Sequence, residues 1–279
     1  MDKKNNETYP KISVVTISYN QGLFIEETIK SIIAQNYPNL EYIIIDGGSS
    51  DNSTDIIKKY ETHISYWVSE KDLGPANALN KGFAKASGDV YYFINSDDIL
   101  LPNSFNKIIN TIKNTPNYDV YYGHGYIIDE KSNIIKKSFS DRWNLLFYAN
   151  LEVAIFQPST FIRKDKFISV GGFNENNRTC WDGELLVDLD LIGAKFYRLS
   201  NFNLLSCFRL YDTSISGNIQ SGNNSYSQRF LNDHDKINEK ISNKIYFFKI
   251  NRYVIKIFKA FRTPYTMLYR IFSHISFRS

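Results

Sequence analysis

The segment DVYYFINSDDI (89–99) runs strand-forming aromatic and β-branched residues straight into two adjacent carboxylates, Asp97 and Asp98. Neighbouring carboxylates repel each other and lose solvation at a strand end unless a cation or hydrogen-bond donors hold them. A divalent ion on a nucleotide diphosphate meets that need, because Mg²⁺ or Mn²⁺ takes few protein carboxylates and fills its other positions with phosphate and water oxygens. The alternative is that Asp97 or Asp98 caps the turn or helix that follows. A second polar loop, IDGGSSD (45–51), also closes an apolar run. Asp46 could hydrogen-bond a base or ribose there, with the glycines letting a ligand approach the backbone; the alternative is an ordinary strand-to-helix turn capped by Asp51 or Ser53. WDGELLVDLDLIGAKF (181–196) puts Asp182 and Glu184 at a helix start, with Leu185, Leu186, Leu189 and Ile192 as its buried stripe. A carboxylate there could take a proton from a reacting hydroxyl, or could simply answer the helix dipole. EKDLGPANALNKG (70–82) places charged and amide side chains around another helix start, suited to an anion or to plain solvation of Asn77, Asn80 and Lys81.

Several chemistries are missing. Neither GxxxxGK[ST] nor GxGxxG occurs, so no P-loop or dinucleotide fingerprint is present, and a nucleotidyltransferase lacks its glycine- and lysine-rich phosphate loop. His63, His124, His234 and His274 are scattered, with no triad or metal-ligand spacing. Cys180 and Cys207 form no CxxC pair; Cys180 reads as a buried structural thiol, and such sparse cysteine fits a reducing, cytoplasmic compartment. The polar start MDKKNNETYPK has no apolar core of a secretory signal, and no uncharged apolar run reaches the roughly 18–20 residues that span a bilayer.

The elements that must position these residues follow from two alternating periods. ISVVTIS, EYIIID, ISYWVSE and VYYFIN read as strands, and FIEETIKSIIAQ, SSDNSTDIIKKY and GPANALNKGFAKA as the helices between them. This order predicts an α/β fold with a mostly parallel central sheet covered by helices on both faces. Such sheets bind ligands outside the carboxyl ends of their strands, where TISYNQG, DGGSSDNS, SEKDLGP and NSDD all fall. Farther along, a helix near 103–113, a hairpin turning at DEKSN, a short strand in QPSTFIRKD and the helix ending near Gly193 complete the pattern. With 279 residues, 43% of them hydrophobic and 22% charged, the chain can bury one large core, and no internal repeat or linker divides it before about residue 240.

Taken together and in this order, SVVTISYNQG, YPNLEYIIIDGGSSDNSTDII and SEKDLGPANALNKGFAKASGDVYYFINSDD resemble the inverting glycosyltransferases of family two, which have the GT-A fold. The likeness is close from about Lys11 to Asn103, the nucleotide-sugar half, and looser to about Ser216, the acceptor-side half. The resemblance implies that Thr16, Ser18 and Tyr19 line the nucleotide pocket and that Asp46 meets the base. It likewise places Asn80 near the diphosphate and Asn95, Ser96 and Asp97 at the donor, with Asp97 holding Mn²⁺ or Mg²⁺. Asp182 matches the catalytic base of the family's acidic helix-start motif, with Glu184 its nearest rival. Three positions depart from the family's pattern: Asn95 where an aspartate is common, Gly47 where a second aspartate is frequent, and Leu79 where arginine is common.

Charge sets the last 39 residues apart. From Ile241 to Ser279 there are eight Lys or Arg and no Asp or Glu, leaving 25 basic against 29 acidic residues in 1–240. In KIYFFKINRYVIKIFKAFR (244–262) the basic side chains share one helical stripe and aromatic and aliphatic ones the other, a pattern suited to an anionic membrane surface or to packing on the domain. Nucleic acid is not an expected partner of a main domain that is net acidic. The expectation is therefore a 1–240 catalytic domain with a 241–279 membrane-associating tail, peripheral on the inner face of the cell membrane. It would be a metal-dependent transferase moving glucose, galactose or an N-acetylhexosamine from UDP to a lipid-diphosphate-linked saccharide in bacterial O-antigen or capsule assembly. The alternative in another class is a catalytically silent nucleotide-sugar-binding scaffold on the same fold.

Overall fold

The computed structural model describes residues 9–212, 214, 217 and 224–244. Its first half is the alternation the sequence predicts. Strand β1 (Ile12–Ser18) leads to helix α1 (Ile25–Ile33), β2 (Leu40–Asp46) to α2 (Ser53–Lys59), β3 (Tyr66–Ser69) to α3 (Pro75–Phe83), and β4 (Val90–Asn95) follows. Strands β1, β2 and β4 are mostly apolar because both faces of the sheet are covered there, whereas the edge strand β3 is partly exposed. Val15, Ile43, Ile45, Tyr91 and Phe93 pack on one side with α3 and α7 (Trp181–Leu191), while Val14, Tyr42, Ile44, Tyr92 and Ile94 pack on the other with α1 and α4 (Ser104–Asn114). Each helix turns its apolar stripe inward, as with Ile25, Ile29 and Ile32 of α1 and Phe105, Ile108, Ile109 and Ile112 of α4.

The main sheet has seven strands in the order β10-β6-β9-β4-β1-β2-β3, where β6 is Val120–Tyr122, β9 is Thr160–Arg163 and β10 is Phe196–Arg198. Strand β9 runs antiparallel to both neighbours, and the other six share one direction. A second sheet of four strands has the order β5-β11-β7-β8, with β5 at Ile99–Leu100, β7 at His124–Ile128, β8 at Ile134–Ser138 and β11 at Leu204–Arg209. The run YDVYYGHGYIID therefore splits at Gly123: β6 stays in the large sheet, and β7 crosses to the small one and forms the DEKSN hairpin with β8.

Helices α5 (Leu145–Ala149), α6 (Lys164–Ser169) and α8 (Asn224–Lys244) complete the described structure. Helix α8 lies against α5 and α7 and buries Ile237 and Ile241 in the core. It runs through residue 240, so the boundary expected there falls inside a helix, and most of the basic tail and its amphipathic pattern lies outside the described residues. The stripe expected on α7 holds at Leu185, Leu186 and Leu189, but Ile192 is 47% exposed because the helix ends at Leu191 and the chain turns at Gly193; Val187 is buried in its place. Among the described residues no helix is long and apolar enough to cross a membrane.

Candidate functional site

The carboxyl ends of β1, β2 and β4 and the loop after β3 converge on a cleft of about 630 Å³, within the size range of small-molecule sites. Ser18, Tyr19, Asn95, Ser96 and Asp97 line it. Asp97 Oδ2 accepts a hydrogen bond of 2.9 Å from the Tyr211 hydroxyl, and that hydroxyl oxygen accepts one of 3.2 Å from Gln21 Nε2. Burial raises the Asp97 pKa above the ordinary carboxylate range, opposed by the Tyr211 hydrogen bond and the Arg209 charge.

Asp98 does not cap a helix. Its side chain is fully buried, Oδ1 accepts the Arg209 backbone N–H at 2.9 Å, and Oδ2 has no partner. Burial and the neighbouring Asp97 push its pKa well above the carboxylate range. The pair is thus divided: the sealed carboxyl resists ionisation, which leaves Asp97 to carry the charge that faces the cleft. The Arg209 side chain, 1% exposed, completes the tie. Its Nε donates to the Asp97 carbonyl at 2.8 Å, Nη2 reaches Glu27 at 2.6 Å, and Nη1 donates to the carbonyls of Asp129 and Glu130 and to Ser132 Oγ. Arg209→Ala would orphan these acceptors, and a loss of about 3–5 kcal/mol is expected in urea unfolding.

Three residues expected at the donor are turned away from the cleft. Asp46 is 0% exposed, and its oxygens are occupied by the backbone N–H groups of Gly48 and Ser49 and the hydroxyls of Ser49 and Ser69, at 2.5–3.1 Å. These bonds shape the loop that follows β2. Thr16 is fully buried with its Oγ1 3.2 Å from the Tyr42 hydroxyl, beneath the sheet. Asn80 clasps the loop after α6: Nδ2 donates to the Phe173 carbonyl and to Glu175, and Oδ1 accepts the Phe173 N–H. It holds that loop against α3 and does not line the cleft.

The cleft also contains residues the sequence reading passed over. Lys71, Asp72, Gln21, Trp181 and Tyr211 line it. Asp72 Oδ1 accepts the Gly74 N–H at 2.7 Å, and its Oδ2 lies so close to Gly47 that a Cβ there would meet it at 2.6 Å. Gly47 thus gives up its side-chain space to the Asp72 carboxylate. Lys71 and Asp72 stood in the quoted EKDLGP segment, but nothing in their spacing tied them to Gly47; Tyr211 lies 114 positions from Asp97, a separation no local pattern bridges.

A second cavity of about 490 Å³ opens on the other side of the α7 start, where Trp181 lines the first cavity and Asp182 the second. No side chain donates to Asp182 among the described residues, and burial raises its pKa despite the Gly183 backbone N–H. Glu184 has the opposite character. Its oxygens accept from Asn174, Asn177 and Lys240 Nζ, the last at 2.8 Å. Burial favours its neutral form, but these partners outweigh burial and hold it below the ordinary range. Glu184 therefore fastens α7 to α8. Cys180 and Cys207 are buried free thiols, with burial first among the causes that push Cys180 up to about 12.

Among the described residues no group of three or more His, Cys, Asp and Glu side chains is placed to hold a metal ion. The cleft offers one accessible carboxylate at a strand end, Asp97, with Asn95 and Ser96 beside it. That donor set suits a Mg²⁺ or Mn²⁺ ion that arrives with a diphosphate and takes most of its oxygens from phosphate and water.

The glycosyl transferase family 2 model matches residues 13–169. An uncharacterized glycosyltransferase of Rickettsia typhi is 28% identical over 189 residues, covering 65% of this chain and 59% of the relative, and one of Rickettsia felis is 30% identical over 193 residues, covering 66% and 32%. The chain thus spans less than two thirds of the length of these relatives. The GalNAc(5)-diNAcBac-PP-undecaprenol β-1,3-glucosyltransferase of Campylobacter jejuni is 23% identical over 290 residues, covering 95% of this chain and 89% of its own. Among solved structures, Staphylococcus aureus TarS 1–349 in complex with UDP matches with a TM-score of 0.60 and 18% identity over 72% of this chain and 61% of that one. The mannosyltransferase PcManGT of Pyrobaculum calidifontis, in complex with GDP-Man and Mn²⁺, matches with a TM-score of 0.58 and 18% identity over 77% and 61%. These likenesses show the GT-A fold, and with the family match over more than half of its length the chain belongs to glycosyltransferase family 2.

Proposed function

We propose that the protein is an inverting glycosyltransferase that moves glucose, galactose or an N-acetylhexosamine from a UDP donor to a lipid-diphosphate-linked saccharide in the assembly of a bacterial surface polysaccharide such as O-antigen or capsule. The observation that carries this reading is the division of labour across α7: Asp97 and Lys71 face one cavity, and Asp182, a carboxylate with no side-chain donor among the described residues, faces the next. The nucleotide half binds in the first cavity, where Asp72 replaces Asp46 as the carboxylate open to the base. In the transfer, the acceptor oxygen bonds to the anomeric carbon as the bond from that carbon to the diphosphate oxygen breaks. The acceptor's proton passes to Asp182, and the electron pair leaves with the diphosphate. A bound Mn²⁺ or Mg²⁺ would supply charge neutralisation of the leaving diphosphate, and Asp97 is the side chain that would hold it. Support for a UDP donor and a lipid-linked acceptor comes from the TarS complex and from the name of the Campylobacter relative.

The eight basic and no acidic residues after Lys240 support placement on the anionic inner face of the cell membrane, where each contributes about 1 kcal/mol near the surface. The test is a donor screen that measures nucleotide release with a synthetic lipid-diphosphate sugar, presented in anionic and in neutral vesicles. UDP release that requires the acceptor, a β-linked product from an α-linked donor, and faster turnover on anionic vesicles are expected. No acceptor-dependent release with any nucleotide sugar would sink the activity, an α-linked product would sink inversion, and equal rates on both vesicles would sink the membrane placement.

A further inference from the structure

We propose that the second cavity is the subsite for the acceptor's reacting sugar, that it selects a neutral sugar with an apolar face, such as an acetamido or deoxy sugar, and that Tyr148 positions the attacking hydroxyl on Asp182. This rests on the glycosyltransferase reading above.

The cavity's lining gives the ligand class. At about 490 Å³ it is large enough for a small ligand, and its wall is mostly apolar, from Leu151, Val153, Ile155, Ile162, Leu185 and Phe230. Its polar groups are few: Gln157, Thr160, Thr179, Asp182, His234 and Tyr148. Among the described residues neither Lys nor Arg lines it, whereas Lys71 lines the donor cleft. An anion placed here would lie beside the Asp182 carboxylate with no counter-charge from the described residues, a penalty of several kcal/mol. The acceptor's diphosphate and any uronic acid are therefore kept out. A pyranose fits because it offers C–H faces and methyl groups to the wall and hydroxyls to the few polar side chains.

Tyr148 gives the orientation. Its hydroxyl sits directly on the first turn of α7: a Cβ at Gly183 would lie 2.1 Å from it. Only glycine between Asp182 and Glu184 leaves that space. The hydroxyl makes no hydrogen bond among the described residues and borders the cavity, so its donor is available to a ligand. Burial first, and then the neighbouring acidic groups Cys180, Asp182 and Glu184, hold its pKa well above the ordinary phenol, which keeps it a donor. The ring is fixed by Trp143 at 5.2 Å and His234 at 5.6 Å between centroids, and His234 Nε2 lies 3.3 Å from the Tyr148 carbonyl. A rigid donor lining the same cavity as a carboxylate that no described side chain pairs can fix two hydroxyls of one sugar, leaving the one at Asp182 to react.

Full-length protein tested with a series of acceptors that differ only in the terminal sugar decides this. Acetamido- and deoxy-sugar acceptors are expected to exceed the glucuronic acid acceptor at least about tenfold in kcat/KM. Tyr148→Phe is expected to raise the acceptor KM about tenfold, one hydrogen bond's worth, with donor KM and Tm unchanged. Gly183→Ala, which favours the helix, should raise it too by displacing the hydroxyl. Transfer by Tyr148→Phe with an unchanged acceptor KM, or an equal rise in donor KM, overturns the positioning role. Efficient use of the glucuronic acid acceptor overturns the ligand class. Absence of transfer by the wild type to every acceptor overturns the glycosyltransferase reading itself.

Discussion

Asp97→Ala is expected to weaken UDP binding about 10- to 100-fold in the presence of Mn²⁺ and to abolish the difference between Mn²⁺ and EDTA, as measured by titration calorimetry. The magnitude is that of one charged contact, about 1.5–3 kcal/mol. The reasoning runs from the strand to the ligand. Strand β4 is buried on both faces, so its register is fixed and its last residues are delivered to the carboxyl edge of the sheet without freedom to slide. Arg209 grips the Asp97 carbonyl and Asp98 its backbone N–H, which locks the turn that carries the Asp97 carboxylate. Tyr211 then occupies one edge of Oδ2 and leaves the rest of the carboxylate to the cleft. Because burial raises the Asp97 pKa, metal-assisted binding should fade as the pH falls through a value above the ordinary carboxylate range. Wild-type binding that is equal in Mn²⁺ and EDTA would remove the metal from Asp97. Loss of binding in Tyr211→Phe as deep as in Asp97→Ala would shift the role to the hydrogen-bonded pair.

The parts of this architecture that could be read from the sequence are those whose signal is periodic and local. Strands β1, β2 and β4 announce themselves as apolar runs because they are covered on both faces, and NSDD stands out because it ends such a run. Strand β9 is short, and nothing within four residues says that it inserts antiparallel between β4 and β6. Asp46 looked open because sequence gives no account of how loop donors are spent; the serines that follow it consume its oxygens. Asn80 misled for a related reason, since its partners Phe173 and Glu175 lie more than 90 positions away. The unequal fates of Asp97 and Asp98, and of Asp182 and Glu184, are likewise set by distant partners: Arg209 in the first case and Lys240 in the second. Neighbouring acidic residues acquire different chemistry only when the chain folds a cation or an empty cavity against each.

Asp182→Asn should leave UDP affinity within about twofold of wild type and reduce kcat by about 10²–10⁴, the usual contribution of a general base. The substitution keeps the shape and removes the proton acceptor, and Asp182 lies in the second cavity and outside the nucleotide cleft, so donor binding has no reason to change. The pH profile offers a sharper check. Burial raises the Asp182 pKa, and the base must be ionised to act, so the acid limb of kcat should lie above the ordinary carboxylate range. In Asp182→Asn that limb should vanish from the residual rate. Glu184→Gln makes the contrasting case. Lys240 and two asparagines already hold Glu184 ionised, so its loss should loosen α8 from α7, lower Tm, and leave the acid limb in place. A profile in which Glu184→Gln erases the limb while Asp182→Asn keeps it would transfer the base to Glu184. Such a result would require α8 to release Lys240 during turnover, because a carboxylate already paired with an ammonium is a poor acceptor for the substrate's proton.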